Sequence, residues 1–200
     1  MARPRAFDTD RAVRAAREVF WRQGYAETSV PDLERVTGLR RSSLYAAFGS
    51  KRGLFDAAVT SYLADVVRPR LAGLLADPVA PSALTDYLGG LHDAIATSRS
   101  GDDARLGCLL VNTAGADLVH DDSVRAVIAG YHHDLLAAVA RGVAAAAPGL
   151  PDDRVRALAT EVAGLVVASM LMSRVDQAAA LDLLDLARSR AAGAETAPAH

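Results

Sequence analysis

Six hydrogen-bond donors fall within twelve residues of one another: Arg40, Arg41, Ser42, Ser43, Tyr45 and Lys51. An arginine guanidinium is a planar fork that can meet guanine O6 and N7 through two parallel hydrogen bonds. Lysine and tyrosine more often anchor on phosphate, which fixes register without reading sequence. The serines and Ala46 are compact, so the segment that carries them can lie deep in a wide groove. Bond-making chemistry has no comparable support. No Ser-His-Asp set has a fold context, and no glycine-rich nucleotide loop follows a strand. Cys108 is the one cysteine, which excludes an intrachain disulfide, and its apolar neighbours favour an inert buried thiol over a switch. His132 and His133 are adjacent and point in different directions on a helix, which argues against a metal site with His120. The chain reads as a non-enzyme without metal or cofactor.

The elements that must hold those donors are short helices. Ser29 is a helix N-cap with Asp32 three residues on, Pro31 fits the first turn, and Gly38 is a stop. Leu33 and Val36 face inward. After the turn Gly38-Leu39-Arg40, a second short helix at 41–48 turns Leu44 and Phe48 inward and leaves the donors outside. A longer helix at 9–23 precedes them. It carries Val13, Ala16 and Phe20 at helical spacing, with Arg11, Arg14, Arg17 and Arg22 on the remaining surface. Ser50 caps a fourth helix, with Lys51 in its first turn and Leu54, Phe55, Ala58 and Tyr62 repeating to about residue 67, ahead of Pro69. Two short helices across a tight turn, packed on a longer one, form a helix-turn-helix whose second helix can enter a major groove. A three-helix bundle with solvated arginines is the bland alternative.

Charge and aromatics are unevenly spread. Residues 1–62 carry 11 basic and 7 acidic side chains, and residues 63–200 carry 11 and 17, so the net charges are +4 and -6. Eight of the ten aromatic residues lie in the first 62. A basic head on an acidic body fits a nucleic-acid contact confined to the head. The rest of the chain reads as helices at 82–97, 106–118, 122–147, 151–172 and 176–190. Breakers lie at 77–81, a loop at 98–103 and a frayed tail at 191–200. The longest apolar run near the C-terminal half, 162–172, is too short to span a bilayer. No apolar run of signal-peptide length follows Arg3 and Arg5. The expectation is a soluble, cytoplasmic, all-α protein with no membrane partner.

The last two long helices carry Val155, Leu158, Val162, Leu165, Val166 and Met170, then Leu181, Leu184 and Leu186. Two such helices per subunit can form a four-helix contact across a two-fold axis, which suits a palindromic site. Closing the body's own core is the competing use.

The run Phe7-Asp8, Ala15-Ala16, Phe20-Trp21-Arg22-Gln23-Gly24-Tyr25, Thr28-Ser29-Val30, Asp32-Leu33 and Thr37-Gly38-Leu39 resembles the TetR family of bacterial transcriptional regulators. The resemblance continues through Ser42-Ser43-Leu44-Tyr45-Ala46-Ala47-Phe48-Gly49-Ser50-Lys51 and Leu54-Phe55, and a weaker likeness lies at residues 107–113. It implies phosphate contacts by Tyr45 and Lys51, and base or backbone contacts by Arg41 and Ser43. Arg40 lies at the turn edge, and Arg3 and Arg5 resemble a basic arm. Ala46 and Ala47 depart from members with larger polar residues, implying fewer base contacts. The implied protein is a ligand-responsive repressor that binds a palindromic double-stranded operator as a homodimer. Its DNA-binding domain would be residues 1–55, its effector-binding and dimerisation domain 56–190, and its disordered tail 191–200. The effector would be small and largely apolar. Its candidate lining is Leu88, Leu91, Leu109, Val127, Leu135, Val166 and Met170, with polar points at His92, Asn112, Tyr131 and His132. The rival reading is a helical-bundle interaction protein without specific DNA binding.

Overall fold

Capping chemistry sets the first helices of the computed structural model, which describes residues 5–98 and 107–195. They are α1 (Arg5–Gln23), α2 (Val30–Thr37), α3 (Arg41–Phe48) and α4 (Lys51–Tyr62). Both halves of the capping box form at α2. The Asp32 N–H donates to Ser29 Oγ at 3.2 Å, and the Ser29 N–H donates to Asp32 Oδ2 at 3.1 Å. The Ser29 hydroxyl, with Arg35 behind it, lowers the Asp32 pKa to about 2. Gly38 ends α2 at φ 71°, in the left-handed region that glycine tolerates. No Arg40 side-chain bond caps α3. Glu34 reaches across from α2 instead, and its Oε1 accepts the Arg41 N–H at 2.6 Å. Ser50 caps α4 by accepting the Gly53 N–H at 3.0 Å.

The aromatic-rich head closes its core with ring contacts. Phe20 meets Phe55 edge-on at 5.2 Å, Tyr25 lies 5.2 Å from Phe55, and Trp21 meets Tyr62 at 4.9 Å. Arg17 departs from the surface role read for it. It is only 8% exposed and ties α1 to the α4 region, donating to Asp65 Oδ2 at 2.8 Å and Ser61 Oγ at 3.0 Å. Pro69 likewise does not break the chain. A π-helical turn, Leu63–Val67, leads straight into α5 (Arg68–Leu75), and the Arg68 N–H reaches back to the Leu63 carbonyl. Pro69 then occupies the first turn of α5, where its missing N–H is tolerated.

The body continues with α6 (Ala83–Ala96), α7 (Leu109–Ala114), a 3₁₀ turn (Asp117–His120), α8 (Asp122–Ala146), α9 (Asp152–Met172) and α10 (Gln177–Glu195). The helix read at 106–118 is therefore shorter than expected. Gly107 sits at φ 74°, and a Cβ there would collide with the Met170 carbonyl, so the chain bends tightly onto α9 before α7 starts. Gly142 allows another close approach, since its Cβ would lie 2.5 Å from Leu74 Cδ2 and 3.0 Å from Leu84 Cβ.

The run at 162–172 is part of a 21-residue helix, α9, long and apolar enough by length and composition to cross a membrane. Here it packs against α8 and α10, with Ala159, Val162, Ala163, Val166 and Met170 buried. The last helix also outruns its expected end. Ala191 is buried and α10 continues to Glu195, so the frayed segment read at 191–200 is helical over its first half. One continuous apolar core extends from Val13 in α1 to Ala191 in α10.

Candidate nucleic-acid interface and effector cavity

Leu44 is the inward anchor of α3, and it is 5% exposed. With that residue fixed, helical geometry turns Arg41, Ser42, Ser43, Ala46 and Ala47 outward, and all five are exposed, as is Arg40 at the turn. Tyr45 is 36% exposed, and the Arg41 guanidinium carbon lies 5.4 Å from its ring centroid. The face therefore has a flat, donor-rich centre flanked by arginine. Lys51 stands beside it. Its Nζ sits 4.3 Å from the Tyr25 ring centroid and donates to the Ala26 carbonyl at 3.5 Å. Partial burial lowers the Lys51 pKa, against an opposing pull from Glu27. Arg3 lies outside the described residues, as does the side chain of Arg5, the first residue of α1.

Two positioning groups escaped the sequence reading. Glu34 holds the first N–H of α3, as described above. Arg52, next to Lys51, links the head to the body. Its Nη1 donates to Asp121 Oδ2 at 2.6 Å, its Nη2 to Asp121 Oδ1 at 3.2 Å and to Ser123 Oγ at 2.6 Å. Its Nε donates to Asp56 Oδ1 at 2.8 Å. The Arg52 fork, helped by the Ser123 hydroxyl, holds the Asp121 carboxyl well below the usual carboxylate range. Asp121 is also the N-cap of α8, accepting the N–H groups of Ser123 and Val124. Only the Arg52–Asp56 spacing of four residues was visible in sequence. The partner 69 residues away was not.

Two hollows in the body meet at Arg70 and Met170. The outer one is a groove of about 530 Å³ whose wall includes Trp21, Asp65, Leu91, Ile95 and Gly107. The inner one, about 10 Å³, has room for about one water and lies among Tyr62, Tyr87, Tyr131, Val67 and Leu71. A separate apolar groove of about 290 Å³ runs under α4, between Phe55, Val59, Leu110, Val124 and Val127. Of the candidate effector residues, Leu91, Tyr131 and Met170 line the first two hollows and Val127 the third. Leu88, Leu109, Leu135 and Val166 are buried in the core packing. Asn112 is half-buried beside the Gly107 bend.

The two histidines sit elsewhere. His132 is exposed, because it follows the inward-facing Tyr131 by one residue and so lies about 100° round the helix. His92 faces the α6–α10 surface, 3.6 Å from Asp93 and 3.9 Å from Asp185. Tyr62 and Arg70 were missed as cavity residues, Tyr62 because it falls on the core stripe of α4.

Trp21 joins the groove to the head: its Nε1 donates to the Gly107 carbonyl at 3.2 Å. Arg174, after α9, donates to the carbonyls of Trp21 at 3.3 Å and Arg22 at 3.2 Å.

A helix-turn-helix head with an exposed donor face, carried on a larger helical bundle, defines a DNA-binding transcriptional regulator. Residues 12–58 match the family described as bacterial regulatory proteins, tetR family. The chain is 31% identical to the TetR family transcriptional regulator CifR, in a cysteine mutant complexed with 26-bp double-strand operator DNA. That match covers 94% of this chain and 98% of the CifR chain, with a TM-score of 0.73. The chain is also 37% identical, over 111 residues, to the HTH-type transcriptional repressor ComR of Escherichia coli (strain K12). The ComR match covers 55% of this chain and about half, 51%, of ComR. A TetR-family regulator from Cytophaga hutchinsonii shares the fold, with a TM-score of 0.77 at 20% identity over 99% of this chain and 100% of that one. The chain belongs to the TetR family of bacterial regulatory proteins.

Proposed function

We propose that this protein is a ligand-responsive transcriptional repressor that binds a palindromic operator as a homodimer. The observation that carries the reading is the outward face of α3, where Arg41, Ser42 and Ser43 are exposed beside Tyr45 and Lys51. Residues 1–55 form the reading head, with Arg41 on base edges, Tyr45 and Lys51 on phosphate, and Arg40 and Ser43 beside them. The likeness to CifR, which was seen on operator DNA, and to ComR, named as a repressor, supports this assignment.

Residues 56–190 dimerise and take up the effector. Much of the apolar surface first read as a subunit contact is spent inside the chain, since Val162, Val166, Met170 and Leu184 are buried. What remains outside on α9 and α10 includes Gly164, Leu171 and Leu186, with Val155, Leu158, Leu165, Ala168 and Leu181 partly exposed, and this is the surface a two-fold contact would use.

The test is binding of the full chain to duplexes tiled across the DNA flanking its own gene. One duplex is expected to bind at least ~10³-fold more tightly than scrambled DNA at physiological salt. Equal affinity for every duplex would leave the helical-bundle reading standing.

A further inference from the structure

Helix α3 begins without a cap of its own. Arg40 stands at its N-cap and lends no side-chain hydrogen bond. The Arg41 N–H, first in the helix, goes instead to Glu34 Oε1 at 2.6 Å, on α2 and seven positions back. Thr37 fixes the turn between them. Its hydroxyl donates to the Leu33 carbonyl at 2.7 Å and accepts the Leu39 N–H at 3.2 Å. A carboxylate at this spot gains a charge-assisted hydrogen bond and lies at the positive end of the α3 dipole.

The charge on Glu34 meets no cation. Among the described residues, no lysine or arginine pairs with it, because its neighbours are engaged elsewhere. Arg35 pairs with Asp32 at 2.9 Å, and the Arg41 guanidinium carbon lies 5.4 Å from the Tyr45 ring centroid. Such an acid is out of character with its surroundings. Arg40, Arg41, Ser42 and Ser43 are exposed donors at the start of α3, and the start of the second helix is the part of a helix-turn-helix that meets base edges. A negative charge there weakens attraction to every duplex, since that attraction comes from neutralising phosphate. Its benefit lies in selectivity. The first N–H groups and the dipole of a helix are what a phosphate would take, and a phosphate contact carries no sequence information. Glu34 already holds the first of those N–H groups.

We propose that Glu34 is a specificity-determining residue of the DNA face. Its carboxylate keeps phosphate away from the start of α3 and so suppresses binding that reads no sequence. Its hydrogen bond to the Arg41 N–H sets where the Arg41 side chain leaves the helix. This rests on the reading of α3 as the element that enters the groove. A head on arbitrary DNA can shift until a phosphate meets the end of α3, and the carboxylate repels it there. A head on its operator is held in register by base contacts, so the same charge costs it less. The difference between the two is discrimination.

Glu34→Gln and Glu34→Ala separate charge from capping. Glutamine keeps an oxygen for the Arg41 N–H and removes the charge, whereas alanine removes both. Fluorescence anisotropy on the full chain measures affinity for the operator found by tiling and for a scrambled duplex of equal length, with thermal unfolding followed in parallel. A unit charge about 6 Å from a phosphate in water changes affinity about threefold, so two heads together give about tenfold. Glu34→Gln is expected to bind the scrambled duplex about tenfold more tightly at low salt and the operator about threefold more tightly at most. Discrimination then falls about threefold or more, with the unfolding temperature near wild type. Glu34→Ala is expected to lose the same discrimination and to unfold at a lower temperature, because the cap is gone.

A purely structural cap predicts a different split: wild-type DNA binding in Glu34→Gln, and a loss on both duplexes alike in Glu34→Ala. That result overturns the proposal, as does an equal gain on both duplexes in Glu34→Gln. A loss confined to the operator also overturns it, and would make Glu34 a reader of cytosine N4 instead. The broader reading is tested separately. If the wild type prefers no duplex over scrambled DNA, the reading of α3 fails and this proposal falls with it. If the wild type prefers an operator and Glu34→Gln keeps the full preference, α3 stands as the reading helix and only the role of Glu34 falls.

Discussion

Lys51→Met separates a phosphate contact from a packing role. In the free protein the Lys51 ammonium rests 4.3 Å from the Tyr25 ring centroid, so the residue contributes to the head as well as facing the DNA. Methionine keeps an unbranched stem against Tyr25 and removes the charge together with the long hydrogen bond to the Ala26 carbonyl. Each phosphate neutralised contributes about 0.9 to the slope of log affinity against log salt. A dimer presents two copies of Lys51, so the variant's slope is expected to be shallower by about 1.8. Between about 50 and 200 mM salt, a fourfold change, the wild-type advantage then shrinks by 4 to the power 1.8, about twelvefold. Fluorescence anisotropy on operator and on scrambled duplex at several salt concentrations measures this, and both duplexes should show the same change. The lost cation–π contact lowers stability by about 0.5–1 kcal/mol, which thermal unfolding reads separately. A folded Lys51→Met protein with the wild-type salt slope would refute the phosphate role and leave Lys51 as a packing residue.

Three further outcomes follow from particular contacts. Arg41→Ala is expected to relax preference at one base pair by about 1–3 kcal/mol if its fork is bidentate to guanine, with the rest of the operator read unchanged in a selection experiment. Gly164→Arg puts a large cation on the outer face of α9, where an added Cβ meets nothing within 4 Å of the monomer. Sedimentation is expected to show folded monomers, and an unaltered dimer would move the subunit contact elsewhere. The buried phenols of Tyr62, Tyr87 and Tyr131 have pKa values raised above the ordinary ~10. Their neutral form supports the fold fully below that pH, and this support is lost as pH climbs past it. Phenolate absorbance from these three tyrosines should therefore rise only together with loss of helical circular dichroism, and phenylalanine variants identify their share of the signal.

The head was legible because its signals are local. Ser29, Pro31, Asp32 and Gly38 act within one helix, and the stop at Gly38 follows from backbone sterics alone. The donor face followed from one inward residue, Leu44, and the helical repeat. The body was less legible because its determinants are long-range. Alanine and leucine on most faces of α8 to α10 give weak amphipathic contrast, so inward and outward sides could not be told apart. Val166 and Leu165 are neighbours of similar character, yet one is fully buried and the other half-buried. The shortened α7 depends on Gly107 packing against Met170, 63 positions away. The tyrosine cavity needed three helices brought together, and Tyr62 looked like an ordinary core residue until they met.

Arg52 offers the sharpest test of how head and body act as one. Its fork spans α4 and the N-cap of α8, so it constrains the head's orientation at a point one residue from Lys51. A two-fold operator demands that both heads sit at a fixed separation, whereas a single half-site makes no such demand. Loosening the fork should therefore penalise the full operator and spare the half-site. Arg52→Lys is the informative change, because lysine keeps the charge but cannot hold both Asp121 oxygens and Ser123 in one plane. Asp121→Asn is less clean, since it also alters the α8 cap. Arg52→Lys is expected to weaken full-operator binding several-fold while half-site affinity and salt slope stay at wild-type values. Arg52→Ala, if the head still unfolds cooperatively with the body, should extend the same trend. Equal losses on full and half-sites would mean that Arg52 acts locally on the DNA face, and no loss on either would mean that the fork does not set the separation of the heads. Wild-type operator affinity with blunted effector release would place the fork in transmission alone, which anisotropy in the presence of a metabolite that releases the wild-type protein distinguishes.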